Sequence, residues 1–374
     1  MILRPALRIA ALLSLSGMAA QALAQKPEPP RADINYTVQR GDTVSAIARD
    51  NLIDGERQDA HQRLAAHNNL RDPNKVLPGT VLRIPAAWLR REAAGAIVLS
   101  VTGEVQMNGQ ALKPGDQVPE GAQLTSGAGS NARIEFADRS VVTLKSGTAL
   151  RIEAHKRNPK LSEFETRLRL GAGEVEAVVT KQRAPNFRIY APTGNIAVRG
   201  TNYRVRGGDA VNMFEILEGN IDVSGAVGGT VPVGAGFGTV VRRGERPIPP
   251  VQLLEAPDIS SIATLQETTT VRLTVPPLPG ATSYLFRAAT DAEFREIVIE
   301  TVQRRPEVRI VDLRDAEYFY GIRGIDPNGL QGQEALGRFR LVRPPLPMPP
   351  PMPAEPAAPA PGTVAPGPPP AATQ

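Results

Sequence analysis

The chain has 374 residues, with 43 Lys+Arg against 38 Asp+Glu, a net charge of +5, no Cys, 34 Gly and 36 Pro. Without Cys there are no disulfides, thiolate zinc sites, iron–sulfur clusters or Cys nucleophiles, and three His at 61, 67 and 155 are too few for a His-rich metal centre, so neither metal nor cofactor is expected. The length suits two or three domains, and the small positive charge with sparse aromatics does not suit nucleic acid, which leaves a β-rich, modular, non-catalytic chain as the expectation.

Residues 1–24 read as a secretory signal. Arg4 and Arg8 are the basic start, Ile9 to Leu15 a short apolar core, and Ala22-Leu23-Ala24 the small residues before a cut. The run from Ile9 to Ala24 is shorter than the roughly 20 residues of a spanning helix. A mature chain without a membrane span, periplasmic or secreted, is therefore expected.

Residues 36–85 predict a small β-α-α-β unit. Tyr36-Thr37-Val38 starts as a strand and Gly41 permits a tight turn. Asp42 is placed to cap a first helix, whose inner face takes Val44, Ile47 and Ala48. A second helix spans about Asp59 to His67, with Ala60, Leu64 and Ala65 inward, and Asn68-Asn69 suits its end. A loop with two Pro turns follows, and Val81 to Pro85 closes as a strand. His61 and His67 are six apart, which does not suit a helical metal pair. Trp88 is expected to pack against the unit.

The pieces Tyr36-Thr37-Val38, Gly41-Asp42-Thr43, Ile47-Ala48, Asn69-Leu70, Asp72-Pro73-Asn74, Leu77-Pro78-Gly79 and Leu82-Arg83-Ile84-Pro85 stand in the order of a LysM domain, which this segment closely resembles. The resemblance implies binding of N-acetylglucosamine glycans such as peptidoglycan or chitin, in a shallow groove between two loops. Here those loops supply Gly41, Asp42, Thr43, Val44, Ser45, Leu70, Asn74, Lys75, Val76, Leu77 and Pro78, with Val44, Val76 and Leu77 as the apolar wall. Little area would be buried, so single-site affinity is expected to be weak. Between Ala48 and Asn68 the chain is several residues longer than is usual for the family, so Asn51 to Gln58 is expected to be rearranged. Some LysM-like modules serve as assembly adaptors instead.

From about 96 to 246 the pattern shifts to period two. Ala132, Ile134 and Phe136 alternate with Arg133 and Glu135, and similar pairs recur to Ile221/Val223. About ten short strands separated by turn signals predict an all-β sandwich, barrel or solenoid. Gly194 to Thr201 and Gly234 to Gly238 lack the spacing of phosphate or dinucleotide loops and read as strand ends and turns. Arg199, Arg204 and Arg206 read as a solvated strand face, and Glu163/Glu165 and Glu174/Glu176 as exposed strand charge. Gly103-Glu104-Val105, Leu112-Lys-Pro-Gly115-Asp116, Ala132 to Asp138, Gly173-Glu174-Val175, Val198-Arg199-Gly200-Thr201 and Leu217-Glu218-Gly219 resemble the FecR domain. In its name-giving context that domain is the periplasmic part of a membrane-crossing regulator that signals to a sigma factor. No membrane helix is expected here, so the resemblance implies a scaffold or partner-binding unit.

Residues 251–343 alternate again at Val271 to Val275, Tyr284/Phe286/Ala288, Ile297/Ile299, Val308/Ile310, Tyr318/Tyr320/Ile322 and Phe339/Leu341, with a turn at Asp326-Pro-Asn-Gly329. Six or seven strands fit an immunoglobulin-like sandwich without a disulfide, and Gly280 to Tyr284 with Tyr318 to Arg323 is similar to a fibronectin type III domain. Residues 344–374 hold 14 Pro and 7 Ala with Glu355 as the one charge, and such a composition is expected to be an extended, disordered tail.

The leading expectation is a non-catalytic cell-envelope protein held to peptidoglycan by its LysM segment, with β-modules presented to protein partners. An envelope signalling component is the alternative. A cell-wall hydrolase accessory is a third reading, for which the carboxylate pairs supply no cleft.

Overall fold

The computed structural model describes residues 33–182, 186–198, 200–344 and 367. The expected signal at 1–24, Arg199 and nearly all of the expected tail lie outside the described residues. The chain divides into two compact units. The first runs to Glu92 and includes Lys156–Glu163; the second holds Ala93–His155 and Phe164 onward.

The first unit has the expected β-α-α-β order. Strands Ile34–Thr37 and Val81–Ile84 pair antiparallel, with Ile34 opposite Ile84 and Thr37 opposite Val81. Helices Val44–Asn51 and Ala60–His67 each turn one apolar face inward. That face follows from the spacing: positions three and four apart share a side of a helix. Val44, Ile47, Leu52, Leu64, Leu82 and Ile84 make one core, and Leu161, from far along the chain, joins it. The first helix is capped by Thr43 rather than Asp42: Thr43 has extended backbone and its hydroxyl accepts from the Ala46 amide at 3.1 Å. Asp42 sits one residue too early and closes the preceding turn instead. Asn68 ends the second helix as expected. Its amide donates to the carbonyls of Leu64 and Arg83 and its oxygen accepts from the Arg83 amide, which ties the helix to the second strand.

The second unit contains two large sheets. One runs, in spatial order, Gln117–Val118, Ala96–Thr102, Asn131–Phe136, Val141–Leu144, the C-terminal half of Glu163–Val178, Asn202–Gly207, Val211–Glu218, Phe237–Arg242 and Val251–Gln252, all antiparallel. The other runs Gln110–Ala111, Val105–Met107, Gln123–Ser126, Ala149–Asn158, the N-terminal half of Glu163–Val178, Phe187–Tyr190, Gly194–Val198, Asn220–Gly225 and Thr230–Gly234. A parallel step lies between Thr166–Arg169 and Phe187–Tyr190. Strand Glu163–Val178 is long enough to serve both sheets, and it helps close the ladders on themselves. Alternate residues such as Ile134, Leu168, Ile196, Val205 and Phe214 fill a single core. More strands are present than the ten expected, because pairs as short as Gln110–Ala111 are too brief to show alternation.

Residues 265–341 of the same unit add a five-stranded sheet, in the order Leu265–Gln266, Gln331–Leu341, Ala316–Ile325, Ser283–Ala289, Ile297–Gln303, and a two-stranded one, Val271–Thr274 with Glu307–Ile310. Leu273, Phe286, Tyr320 and Phe339 are buried together. The Tyr318 hydroxyl donates to the Arg314 carbonyl at 3.0 Å and fixes the entry to its strand.

Two expectations about charge are corrected here. Glu174 and Glu176 pair in register with Arg206 and Arg204, and Arg204 lies opposite Glu215. They lie on the outer face of their sheet, as alternation requires, but that face is covered. Arg204 and Glu215 are 2% and 1% exposed. The covering groups are Arg287, Arg323, Gln331 and Glu334 of the five-stranded sheet. Arg204 bonds Glu215 at 2.6 Å and donates to the carbonyls of Gln331 and Gly332. Arg323 bridges Glu176 at 2.8 Å and Glu334 at 3.2 Å, and Arg287 bonds Glu334 at 2.6 Å. Lys145 meets Glu300 at 3.0 Å. Glu163 and Glu165 are buried too, with Arg167 3.2 Å from Glu165. Buried charges must be paired to be tolerated, and a sheet's solvent face looks the same in sequence as a face covered by a second charged sheet.

Candidate functional site

The two loops expected to form a groove lie at one end of the small two-stranded sheet. The ladder continues past its last strand residues: the Val38 amide donates to the Thr80 carbonyl, and the Gly79 amide to the Val38 carbonyl, both at 2.8 Å. The chain leaves one strand into Gln39–Ser45 and enters the other from Leu70–Thr80, so pairing sets the loops side by side.

Each loop is pinned by turns. In the first, the Asp42 amide donates to the Gln39 carbonyl, with Gly41 at φ 96°. The Asp42 carboxylate accepts from the Gln39 amide at 2.7 Å and from the Tyr36 hydroxyl at 2.6 Å. Burial and then that hydrogen bond push the Tyr36 hydroxyl up to about 12. In the second loop, the Asp72 carboxylate accepts from the Asn74 amide and the Asp72 carbonyl from the Lys75 amide. Leu77-Pro78-Gly79-Thr80 then makes a turn closed by the Thr80 amide on the Leu77 carbonyl. Pro at its second position and Gly79 at φ 87° are what a type II turn requires.

Among the expected contact residues, Gly41, Thr43, Ser45, Asn74, Lys75, Leu77 and Pro78 are exposed, and Asp42, Leu70 and Val76 are half-buried. Val44 differs: it is fully buried in the core, so its side chain is no wall of a groove and only its backbone borders the loop. Leu77, 74% exposed, is the apolar group the loops present to solvent. Trp88 packs as expected. The Arg63 guanidinium lies over its ring at 4.7 Å, and the His67 ring is 5.4 Å away. His67 meets Asp33 at 2.8 Å. These contacts leave Trp88 a packing role. A surface cleft of about 430 Å³, lined by Ile262, Gln266, Arg272 and Thr274 among others, belongs to the second unit and holds none of the expected site residues.

Sequence reasoning missed Asn158 and Leu161, which belong to the first unit. Asn-Pro at 158–159 was the available signal, since that pair favours a turn, but nothing in it points to where the turn packs. The inter-helix segment expected to be rearranged, Asn51 to Gln58, carries a single bridge between Leu52 and Leu89 and an Ile53 amide on the Trp88 carbonyl. Asp54 there pairs with Arg63.

Family comparisons agree with two of the resemblances. The LysM domain model matches residues 36–85, and the FecR protein model matches residues 122–222, inside the span read as 96–246. No curated protein matches the chain. Among solved structures, two of a protein from Parabacteroides distasonis, provisionally assigned as an anti-sigma factor, are similar at 14% and 16% identity with TM-scores of 0.29 and 0.30. They cover 35% and 37% of this chain, which in turn spans 59% and 71% of theirs. An extracellular domain of a one-component system from B. thetaiotaomicron is similar at 7% identity and TM-score 0.18, over 67% of this chain and 57% of its own.

Proposed function

We propose that the protein is a non-catalytic component of the bacterial cell envelope that binds peptidoglycan through residues 36–85 and offers its β-structure to protein partners. The observation that carries this is the LysM match over the whole of 36–85 together with two turn-pinned, exposed loops side by side. A disaccharide needs backbone donors and acceptors held still and a small apolar surface. Gly41 and Gly79 turns supply the first, and Leu77 with Val76 the second. The contact residues are Gly41, Asp42, Thr43, Ser45, Leu70, Asn74, Lys75, Val76, Leu77 and Pro78, with Val44 contributing backbone alone. Residues 251–343 fit a fibronectin type III-like sandwich, supported by the tyrosine hydroxyl bond at the entry to Ala316–Ile325. A periplasmic or wall-associated location fits both domain types. The proposal carries no catalytic centre: Glu163, Glu165, Glu174 and Glu176 are covered, so none is offered to a substrate.

Envelope signalling is the second reading, favoured by the FecR match over 122–222. No helix among the described residues is long and apolar enough to cross a membrane, so this reading calls for a membrane partner. Co-sedimentation with insoluble peptidoglycan tests the first reading, and pull-down from detergent-solubilised membranes the second.

A further inference from the structure

We infer that the C-terminal end of helix Val44–Asn51, together with Arg90, is a docking surface whose ligand is a turn of the same chain, Asn158–Leu161, and that the module's groove is held in shape only with that turn seated. The inference rests on the reading of residues 36–85 as a glycan-binding module.

The turn seats at the C-terminal end of helix Val44–Asn51. A helix leaves its last carbonyls without partners, and many helices answer with a left-handed Gly. This one has no such cap: Leu52 follows in extended backbone, and only the Ala48 carbonyl is met locally, by the Leu52 amide. Two further carbonyls are met from afar. The Asn51 carbonyl accepts from the Arg90 amide at 2.7 Å and from the Asn158 side-chain amide at 3.3 Å. The Arg49 carbonyl accepts from the Arg90 guanidinium at 3.5 Å.

Asn158 is fully buried and uses both ends of its side chain. Its nitrogen donates to the Asn51 and Arg90 carbonyls. Its oxygen accepts from the Lys160 and Leu161 amides, which holds the turn in shape. Leu161, 8% exposed, then enters the module's core. One residue thus shapes the ligand and fastens it, and another plugs it in.

The groove is two helical turns away on the same element. Thr43, which caps the first turn of helix Val44–Asn51, belongs to the groove loop; Asn51, at the last turn, belongs to the dock. Loss of the turn frees the far end of the helix that positions Gly41–Ser45.

The test uses the full chain and three variants. Asn158→Asp keeps the oxygen that shapes the turn but sets an acceptor against two carbonyls. Leu161→Ala removes the plug. Lys160→Ala changes an exposed side chain and is the control. Amide hydrogen exchange is read at Arg90 and Ile53, with Val205 and Phe214 as reporters of the second unit. The expected result is exchange at least tenfold faster at Arg90 and Ile53 in the first two variants, unchanged in the control, with Val205 and Phe214 protected throughout. Peptidoglycan co-sedimentation should fall severalfold in the same two variants. Unchanged exchange at Arg90 and Ile53 overturns the inference. Loss of protection at Val205 and Phe214 as well overturns it too, because the defect then lies in the hairpin at large. If the unaltered chain fails to pellet with peptidoglycan, the glycan reading falls, while the exchange result still decides whether the dock exists.

Discussion

His155 shows how a single side chain's surroundings set its chemistry. Its Nε2 accepts from the Ala137 amide and its Nδ1 faces the Thr166 hydroxyl at 2.9 Å. A ring nitrogen that accepts carries no proton, so the neutral form is the one this site holds. Burial lowers its pKa, against a smaller upward pull from Asp138. The stability contributed by neutral His155 is therefore present above 6.5 and is lost as pH falls below that value. NMR titration of the imidazole should place its pKa below the ordinary 6.5; a value at or above 6.5 would contradict the assignment. The charge cluster titrates on the acid side. Burial would raise Glu176 and Glu334, but Arg323 first, with Lys145 and Arg287 among their neighbours, holds both below the ordinary value of 4.5. Burial and then the Glu176 charge raise Glu174. Glu174 favours folding as pH falls from its raised value toward 4.5, and Glu176 and Glu334 disfavour it as pH falls further. Comparing denaturation of the unaltered chain and Glu174→Gln across pH should show that the variant lacks the stabilisation gained as pH falls toward 4.5; an identical pH dependence of the two above 4.5 would contradict this. Arg323→Met leaves Glu176 and Glu334 buried without their main partner, and should cost about 3–5 kcal/mol by denaturant unfolding.

At the scale of elements, local chemistry was legible where the residue that sets a conformation stands at the conformation itself. The strand pair, the two helices, the inward faces and the turn at Leu77–Thr80 could all be read in advance, because Gly, Pro and Asn act on their own backbone. The cap was misplaced by one residue, since Asp42 and Thr43 are both capping types and only the backbone of Thr43, extended before the first helical residue, decides between them. Thr43→Ala should lower stability of the first unit by about 1 kcal/mol. Gly79→Ala meets no atom within 4 Å, so its effect is backbone strain alone, about 1–2 kcal/mol, with weaker glycan binding as the loop shifts. Thermal melts read both; an unaltered melting temperature for Gly79→Ala would mean the turn has another form. Val44 was assigned to the wall because its neighbours in sequence line the loop, yet helical periodicity turns it into the core.

At the scale of the whole molecule, contacts between segments distant in sequence were the part that could not be read. Alternation reveals that Glu174, Glu176, Arg204 and Arg206 share a face, but not that Arg287, Arg323 and Glu334 cover it. The same holds for Leu161, an apolar residue in a turn, whose partner core is drawn from Ile34 to Leu89. The paired charges on the covered face and the small apolar cluster of Val240, Leu253 and Leu330 join the two large sheets to residues 265–341 as one body. Calorimetry should resolve one transition for that body, and a separate transition for residues 265–341 would contradict it.

Binding of peptidoglycan by the exposed loops of residues 36–85 is the proposal on which the functional reading depends. The measurement that meets it most directly is co-sedimentation of the full chain with insoluble purified peptidoglycan, beside a variant altered only at solvent-facing loop positions, Asn74→Ala with Leu77→Asp. Both side chains are exposed, so the fold is left intact. The unaltered chain should pellet, and the variant should stay largely in solution. Equal pelleting of the two would place the glycan site elsewhere, and pelleting of neither would remove peptidoglycan as the ligand.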